Sequence, residues 1–290
     1  MMQRWAAGLV YSNLFVAIVL GTLTASSFYI LPTLDLAWYV PLSVFFGSHM
    51  LYSFHRLYKI DFIPRERLEA RHRWMLGRGK AVRYAMVFSM FFGMLLLPNF
   101  QADAIIWLIP AGLVSVGYTI PILPSEDGWR RFRDIPYTKP LIISFVVSYF
   151  TLAFPVFEQQ GIEAIFEGGF LRAFSERFLF LLAVTIPFDM RDMRNDHEAG
   201  LETLATEYGF KAAKRTGYIV ITAWLVLVFW RLHESDYAWP FIVVPLALLA
   251  GLLLAYFVVS EKHSDLFYVY VFEGLILCYA ILWSLLGILH

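Results

Sequence analysis

Nine apolar runs set the terms for any fold of this chain: residues 5–31, 36–56, 81–98, 102–123, 138–157, 171–190, 213–231, 238–259 and 264–289. A helix needs about 20 consecutive apolar residues to cross the hydrocarbon layer of a bilayer. Inside that layer only helices and closed barrels satisfy their own backbone polar groups. The runs therefore predict an all-α polytopic membrane protein, a bundle of about nine transmembrane helices. Composition agrees: only 16% of the residues are charged and 59% are hydrophobic, where a soluble domain carries about 25% charged residues. Most connections are too short for an extra domain and none is of low complexity, so residues 1–290 read as a single membrane domain. The first run follows one Arg and precedes no convincing cleavage site, so it reads as a membrane helix and not a removable signal.

Basic residues then give direction, because Lys and Arg concentrate on the cytoplasmic side of membrane proteins. With the amino terminus inside, the inner segments hold twenty Lys and Arg residues, nine of them between Arg56 and Arg83. The outer connections hold only Arg172 and Arg231. This places the large basic loops on the cytoplasmic face of the membrane, the inner membrane if the source is bacterial. Lys+Arg and Asp+Glu balance at 23 each, which gives no electrostatic case for nucleic acid as a partner. The one cysteine, Cys278, excludes an intrachain disulfide and a Cys-based zinc site.

On that same inner face lies the segment 187–209, PFDMRDMRNDHEAGLETLATEYG. If it starts as a helix, Asp189, Asp192 and Asp196 fall at i, i+3 and i+7 on one narrow face. Like charges so placed repel. A divalent cation is one reason to keep them: Mg²⁺ prefers oxygen ligands and commonly sits between carboxylates and a substrate's phosphates. A solvated acidic loop between two spans is the other reading of the spacing alone.

The same residues resemble the second aspartate-rich motif of the UbiA superfamily of membrane prenyltransferases. The match comprises Asp189, Asp192, Asp196, Gly200, Thr203, Leu204 and Gly209, in order and spacing. The resemblance implies Mg²⁺ at Asp189, Asp192 and Asp196, with these aspartates catalytic. It implies transfer of a prenyl group from an isoprenyl diphosphate to a lipophilic, often aromatic, acceptor. In the superfamily the second span ends in a first motif, NxxxDxxxD. In register this chain has Ser53, Leu57 and Asp61. His49, Ser53 and His55 are possible polar substitutes there, and a hydrogen-bonded structural role is the alternative for the histidines. Neither Ser nor neutral His brings the negative charge that a second Mg²⁺ would want.

Further along, Tyr118, Arg133 and Lys139 resemble the superfamily's tyrosine and basic region, which implies contacts to the substrate's phosphates. Asp61, Ser53 and His49 join them as expected substrate-binding residues. In the basic loop 65–83, Arg71 and Arg73 flank His72 and are candidates for a lid over the diphosphate, beside the plainer role of anchoring at lipid headgroups. Glu273 is the one carboxylate deep in the last spans, where it is costly. Three other classes stand beside the prenyltransferase. One is a family member that binds a prenyl lipid or diphosphate without transferring it. The second is a CDP-alcohol phosphatidyltransferase, whose DGxxAR…GxxxDxxxD pattern is absent. The third is a transporter, whose site usually lies near the midplane rather than at the membrane edge.

Reporter fusions at both ends test the topology: the amino terminus should report inside and the carboxyl terminus outside. Both ends on one side would rule out an odd number of spans.

Overall fold

The computed structural model of the protein describes residues 2–31, 33–60, 68–126, 128–234 and 240–289. Each of the nine predicted runs is helical over most of its described length. In chain order the first helices are α1 (Met2–Tyr11), α2 (Leu14–Ile30), α3 (Tyr39–Ile60), α4 (Ala70–Gly77) and α5 (Gly79–Leu96). Next come α6 (Ala102–Ile106), α7 (Leu108–Gly117), α8 (Lys139–Ser148) and α9 (Phe154–Gln160). The last are α10 (Gly168–Glu198), α11 (Leu204–Glu234), α12 (Pro240–Val258), α13 (Asp265–Tyr268) and α14 (Gly274–Leu289). π-helical turns join α8 to α9 at Tyr149–Ala153 and α13 to α14 at Val269–Glu273. A small antiparallel hairpin, β1 (Leu123–Ser125) and β2 (Gly128–Arg130), interrupts the connection to α8. The chain is thus an all-α integral membrane protein with one short ribbon that the apolar pattern did not announce.

Among the described residues, five helices are long and apolar enough to cross a membrane: Gly79–Asn99, Lys139–Gln160, Leu204–His233, Phe241–Val258 and Asp265–Leu289. Leu14–Ile30 and Ala102–Gly117 are shorter apolar helices. The long helices α3 and α10 fall outside this set for a physical reason. They carry the polar and charged residues that line the interior.

The helices close around that interior. α2 packs on α3 and α14, α3 on α5, α10 on both α8 and α11, and α12 on α11 and α14. One large apolar core joins α2, α10, α11, α12 and α14 around Phe180, Trp224, Tyr256 and Phe272. A second gathers Phe28, Val40, Phe100, Phe154 and Phe157 at the far end from the aspartates.

Buried charge also ties this far half together. Arg177, fully enclosed, donates to Ser26 Oγ (3.2 Å), Ser27 Oγ (2.6 Å) and the Thr151 carbonyl (2.8 Å). Thr151 lies in the π-helical turn. Its carbonyl, left without a donor four residues on because Pro155 has no N–H, also accepts from the Ser27 hydroxyl.

Pro187 lies inside α10 (Gly168–Glu198), just before its acidic face begins at Asp189. Proline cannot donate to the carbonyl four residues earlier, so Ala183 O loses its helical partner. The Tyr256 hydroxyl supplies one at 2.6 Å. Gly217 on α11 makes room for that ring, since a Cβ there would collide with the Tyr256 ring and hydroxyl. Small residues permit this kind of close helix approach in membranes.

Gly217→Ala should therefore lower stability by about 1–3 kcal/mol through overpacking. A thermal melt in detergent reads this as a lower midpoint. A wild-type midpoint would mean that Tyr256 can move aside without losing Ala183.

Candidate functional site

The second-motif segment folds as a helix, a tight turn and a new helix. α10 ends after Glu198. The Leu201 N–H donates to Asp196 O (2.9 Å) and the Gly200 N–H to His197 O (3.1 Å). This is the glycine-terminated helix end, with Gly200 at φ 69°. Thr203 then caps α11, its hydroxyl accepting from the Thr206 N–H at 3.1 Å. Gly209, at φ 82° and ψ 168°, bends the helix that follows. The non-acidic residues of the motif thus turn the chain and start the next helix.

The three aspartates converge on one ammonium. Lys139 Nζ lies 2.5 Å from Asp196 Oδ2, 3.0 Å from Asp189 Oδ1 and 3.8 Å from Asp192 Oδ2. Asp189, Asp196 and Lys139 are all buried, at 3%, 4% and 6% exposure, which rules out a solvated loop. Arg133 approaches Asp196 at 3.5 Å and lies 5.7 Å from the centre of the Tyr118 ring. Asp189 Oδ1 is buried beside Lys139 without an aligned hydrogen bond. Asp192 is held by both nitrogens of Arg191, at 2.7 and 2.9 Å.

These groups end a cavity of about 700 Å³. Asp189, Asp192, Lys139, Arg133 and Tyr118 line its polar end. Its body is apolar, walled by residues such as Leu20, Met94, Phe150, Phe154, Leu181 and Ile276. Helix α4 lies across the polar end. Arg71 and His72 face the cavity, whereas Arg73 donates to the Leu68 carbonyl at 2.8 Å on the exposed side. Burial first, then the neighbouring Arg71 charge, pushes the His72 imidazole down to about 4. The neutral ring accepts the Glu69 N–H at 3.3 Å and so helps to cap α4. Asn195 on α10 reaches back to Glu69 Oε1 at 2.8 Å and ties α4 to the acidic helix.

The first-motif residues behave differently from expectation. Ser53 accepts a hydrogen bond from Asn13 Nδ2 at 3.1 Å, and neither it nor Leu57 lines the cavity. Leu57 packs against the Ile60, Met75 and Val82 cluster. His49 bridges Ser89 Oγ (2.8 Å) and the Ser12 carbonyl (3.1 Å), away from the cavity. The face of α3 that does line it is Ser48, Leu51, Tyr52, His55 and Arg56. That is a helical stripe at i, i+3, i+4, i+7 and i+8, and it lies on the other side of the helix from Ser53 and Leu57. Asp61 lies outside the described residues. His55, one of the polar substitutes offered by the sequence, does line the cavity, whereas Arg56 and Arg191 are cavity residues that the motif register overlooked; the stripe itself is readable once Tyr52 is taken as its centre. Glu273 also lines the cavity, from the π-helical turn at Val269–Glu273.

A model of the UbiA prenyltransferase family matches residues 75–285. The chain belongs to the UbiA prenyltransferase family. This UbiA member resembles solved structures of the same fold. A UbiA homologue from Archaeoglobus fulgidus, bound to GPP and Mg²⁺, superposes with a TM-score of 0.64 at 16% identity, covering 94% of this chain and 99% of that one. The apo structure of a UbiA homologue from Aeropyrum pernix K1 gives a TM-score of 0.67 at 12% identity, covering 94% and 96%. A structure described for digeranylgeranylglyceryl phosphate synthase gives 0.57 at 15% identity over the whole of both chains. No curated protein matches the chain in sequence.

The donor set of this UbiA chain suits a hard divalent cation shared with phosphate. All the converging acceptors are carboxylate oxygens, and Asp189 Oδ1 has Lys139 Nζ 3.0 Å away but not aligned for a hydrogen bond. Among the described residues no three acidic, His or Cys groups already form a metal cage. That fits Mg²⁺, which usually takes one or two carboxylates and completes its octahedron with water and substrate phosphates.

Lys139→Met removes the ammonium that three carboxylates share, two of them buried. It should lower the stability of the ligand-free protein by about 3–5 kcal/mol, and added Mg²⁺ should restore part of that loss. Melting curves with Mg²⁺ and with chelator check this. An equal Mg²⁺ response in wild type and variant would show that the carboxylates do not attract the ion.

Proposed function

We propose that this protein transfers a prenyl group from an isoprenyl diphosphate to a lipophilic acceptor, with Mg²⁺ as cofactor. The observation that carries the reading is the cage of Asp189, Asp192, Lys139 and Arg133 at one end of an otherwise apolar cavity. A diphosphate with an isoprenoid tail has the same polarity along its length. The A. fulgidus homologue bound to GPP and Mg²⁺ supports the ligand class. Residues 1–290 act as one membrane domain, with the cage on the cytoplasmic side.

The proposed chemistry follows from the placement of charge. Mg²⁺, held by one or two of the carboxylates of Asp189, Asp192 and Asp196 and by the phosphates, would neutralise charge on the departing diphosphate. Lys139 and Arg133 bind its oxygens, Arg by a planar fork and Lys as a point charge. As the carbon–oxygen bond lengthens, the allylic carbon gains cation character. Tyr118 and Phe188 line the cavity beside the polar end, and an aromatic ring turned to such a cation stabilises it. The apolar wall keeps water from capturing it. α4 screens the diphosphate from solvent through Arg71 and His72. A second reading, binding without transfer, is favoured by the absence of carboxylates among the described residues of the α3 face. Incubation with labelled isoprenyl diphosphates and Mg²⁺ separates the two, since only the enzyme consumes the diphosphate in the presence of acceptor.

Asp192→Asn and Asp196→Asn each keep size and remove charge. Each should weaken Mg²⁺-dependent binding of geranyl diphosphate by at least about tenfold, or roughly 1.4 kcal/mol, in ligand titrations in detergent. Unchanged affinity in both variants would return these residues to a purely structural role.

A further inference from the structure

Glu273 is a carboxylate inside the span Asp265–Leu289, and the cage around Lys139 does not use it. An ionisable group within a span is costly and calls for a partner or a function. Among the described residues Glu273 has no hydrogen bond and no ion pair. Arg56 and Arg191 act on it only through space, and Arg191 is taken by Asp192 and Asp265. The side chain lines the large cavity instead. It closes the π-helical turn Val269–Glu273, and single turns of this kind recur at functional sites.

Its level in the bundle is set by its neighbours. Asp265, which meets Arg71 and Arg191 at the cavity mouth, lies about two helical turns before it. Phe272, next to it in the chain, meets Phe188 with ring centres 6.3 Å apart, and Phe188 directly precedes Asp189. Tyr52 on α3 is within electrostatic reach of both Glu273 and Tyr118. Glu273 therefore stands where the charged end of the cavity gives way to its apolar body. A donor with its diphosphate in the cage has its allylic carbon at this level.

The acceptor must give up a proton when it takes the prenyl group. The aspartates of α10 are engaged by Lys139, Arg133 and Arg191, so Glu273 is the cavity carboxylate with oxygens open to a second ligand. We propose that Glu273 receives the hydroxyl group of the acceptor, an alcohol or a phenol, and takes its proton. As the donor's carbon–oxygen bond breaks, its electron pair leaves with the diphosphate. The acceptor gives a pair to the allylic carbon, and the hydroxyl proton passes to the Glu273 carboxylate. This rests on the prenyl-transfer reading given above and adds to it the chemical class of the acceptor.

The test uses β-naphthol and its methyl ether, which differ in having or lacking the proton. Each is titrated into the purified full chain in detergent with Mg²⁺ and geranyl S-thiolodiphosphate, a donor analogue whose carbon–sulfur bond resists ionisation. Wild type, Glu273→Gln and Glu273→Asp are compared, each after a melt confirms folding. The quantity read is the ratio of the two affinities, because comparing that ratio between variants cancels partition into the micelle. The preference for naphthol over the ether should fall by at least about tenfold in Glu273→Gln, and Glu273→Asp should keep part of it. The absorption of bound naphthol should shift towards that of naphtholate in wild type and Glu273→Asp, and not in Glu273→Gln. Glu273→Gln should bind the donor analogue at least as tightly as wild type, since a negative charge near the diphosphate is gone. A carboxylate that only balances Arg56 and Arg191 would leave the ratio unmoved. An equal ratio in wild type and Glu273→Gln, or no spectral shift in wild type, overturns the proposal. If the donor analogue still binds with Mg²⁺ in that case, the diphosphate reading stands and only the role of Glu273 fails. If wild type does not bind the donor analogue, both fail together.

Discussion

Three carboxylates on less than three turns of one helix repel one another, and the site holds together because the Lys139 ammonium from another helix stands among them, with Arg133 beside Asp196 and Arg191 on Asp192. Lys139 opens α8, in the first turn of a span whose next residues are wholly apolar. Its side chain is buried with Asp189 and Asp196. Removing charges from water is costly and is offset only when each ion is well paired. The packing of α8 on α10 is therefore coupled to the acidic face, and the position of that face is fixed to within a hydrogen bond. A ligand that brings its own cation and anion enters a balanced set of charges and redistributes it. It does not have to neutralise a bare cluster.

The helix that carries the aspartates is positioned by a second constraint, one step removed. Pro187 frees the Ala183 carbonyl, Tyr256 from α12 satisfies it, and Gly217 on α11 leaves the ring its space. Three helices are thus tied at the point where α10 changes from apolar wall to acidic face. In hydrocarbon an unanswered carbonyl has no water to turn to. The proline inside α10 and the close approach of α11 to Tyr256 therefore depend on each other. Pro155 serves a comparable purpose, since it leaves the Thr151 carbonyl free for Arg177. The π-helical turn at Val269–Glu273 carries Glu273 into the cavity wall.

Much of this was legible in the sequence because it repeats locally. The apolar runs announce the helices, and the spacing of Asp189, Asp192 and Asp196 announces their common face. Lys139, 57 residues before Asp196, could be proposed from resemblance, but its partners could not be read from spacing. The second span shows where local reading fails. α3 has polar residues on both sides: His49 and Ser53 serve contacts with Ser12, Ser89 and Asn13, whereas Ser48, Tyr52, His55 and Arg56 face the cavity. Periodicity alone cannot say which polar stripe is interior when each has buried partners. A motif laid on the chain by its one aspartate selected the stripe that packs between helices. The hairpin at Leu123–Ser125 escaped for a simpler reason: three-residue strands give too short a pattern to stand out from a loop.

At the cavity mouth Arg56, Arg71 and Arg191 come together from three elements, because α4 lies across it and is held to α10 by Asn195 and Glu69. Their charge is answered locally: Asp192 and Asp265 pair with Arg191, and Glu69 and Asp265 with Arg71. The elements that complete the polar end are therefore short and remote from one another in sequence. The apolar body of the cavity, by contrast, is built from long helices that the bilayer itself specifies.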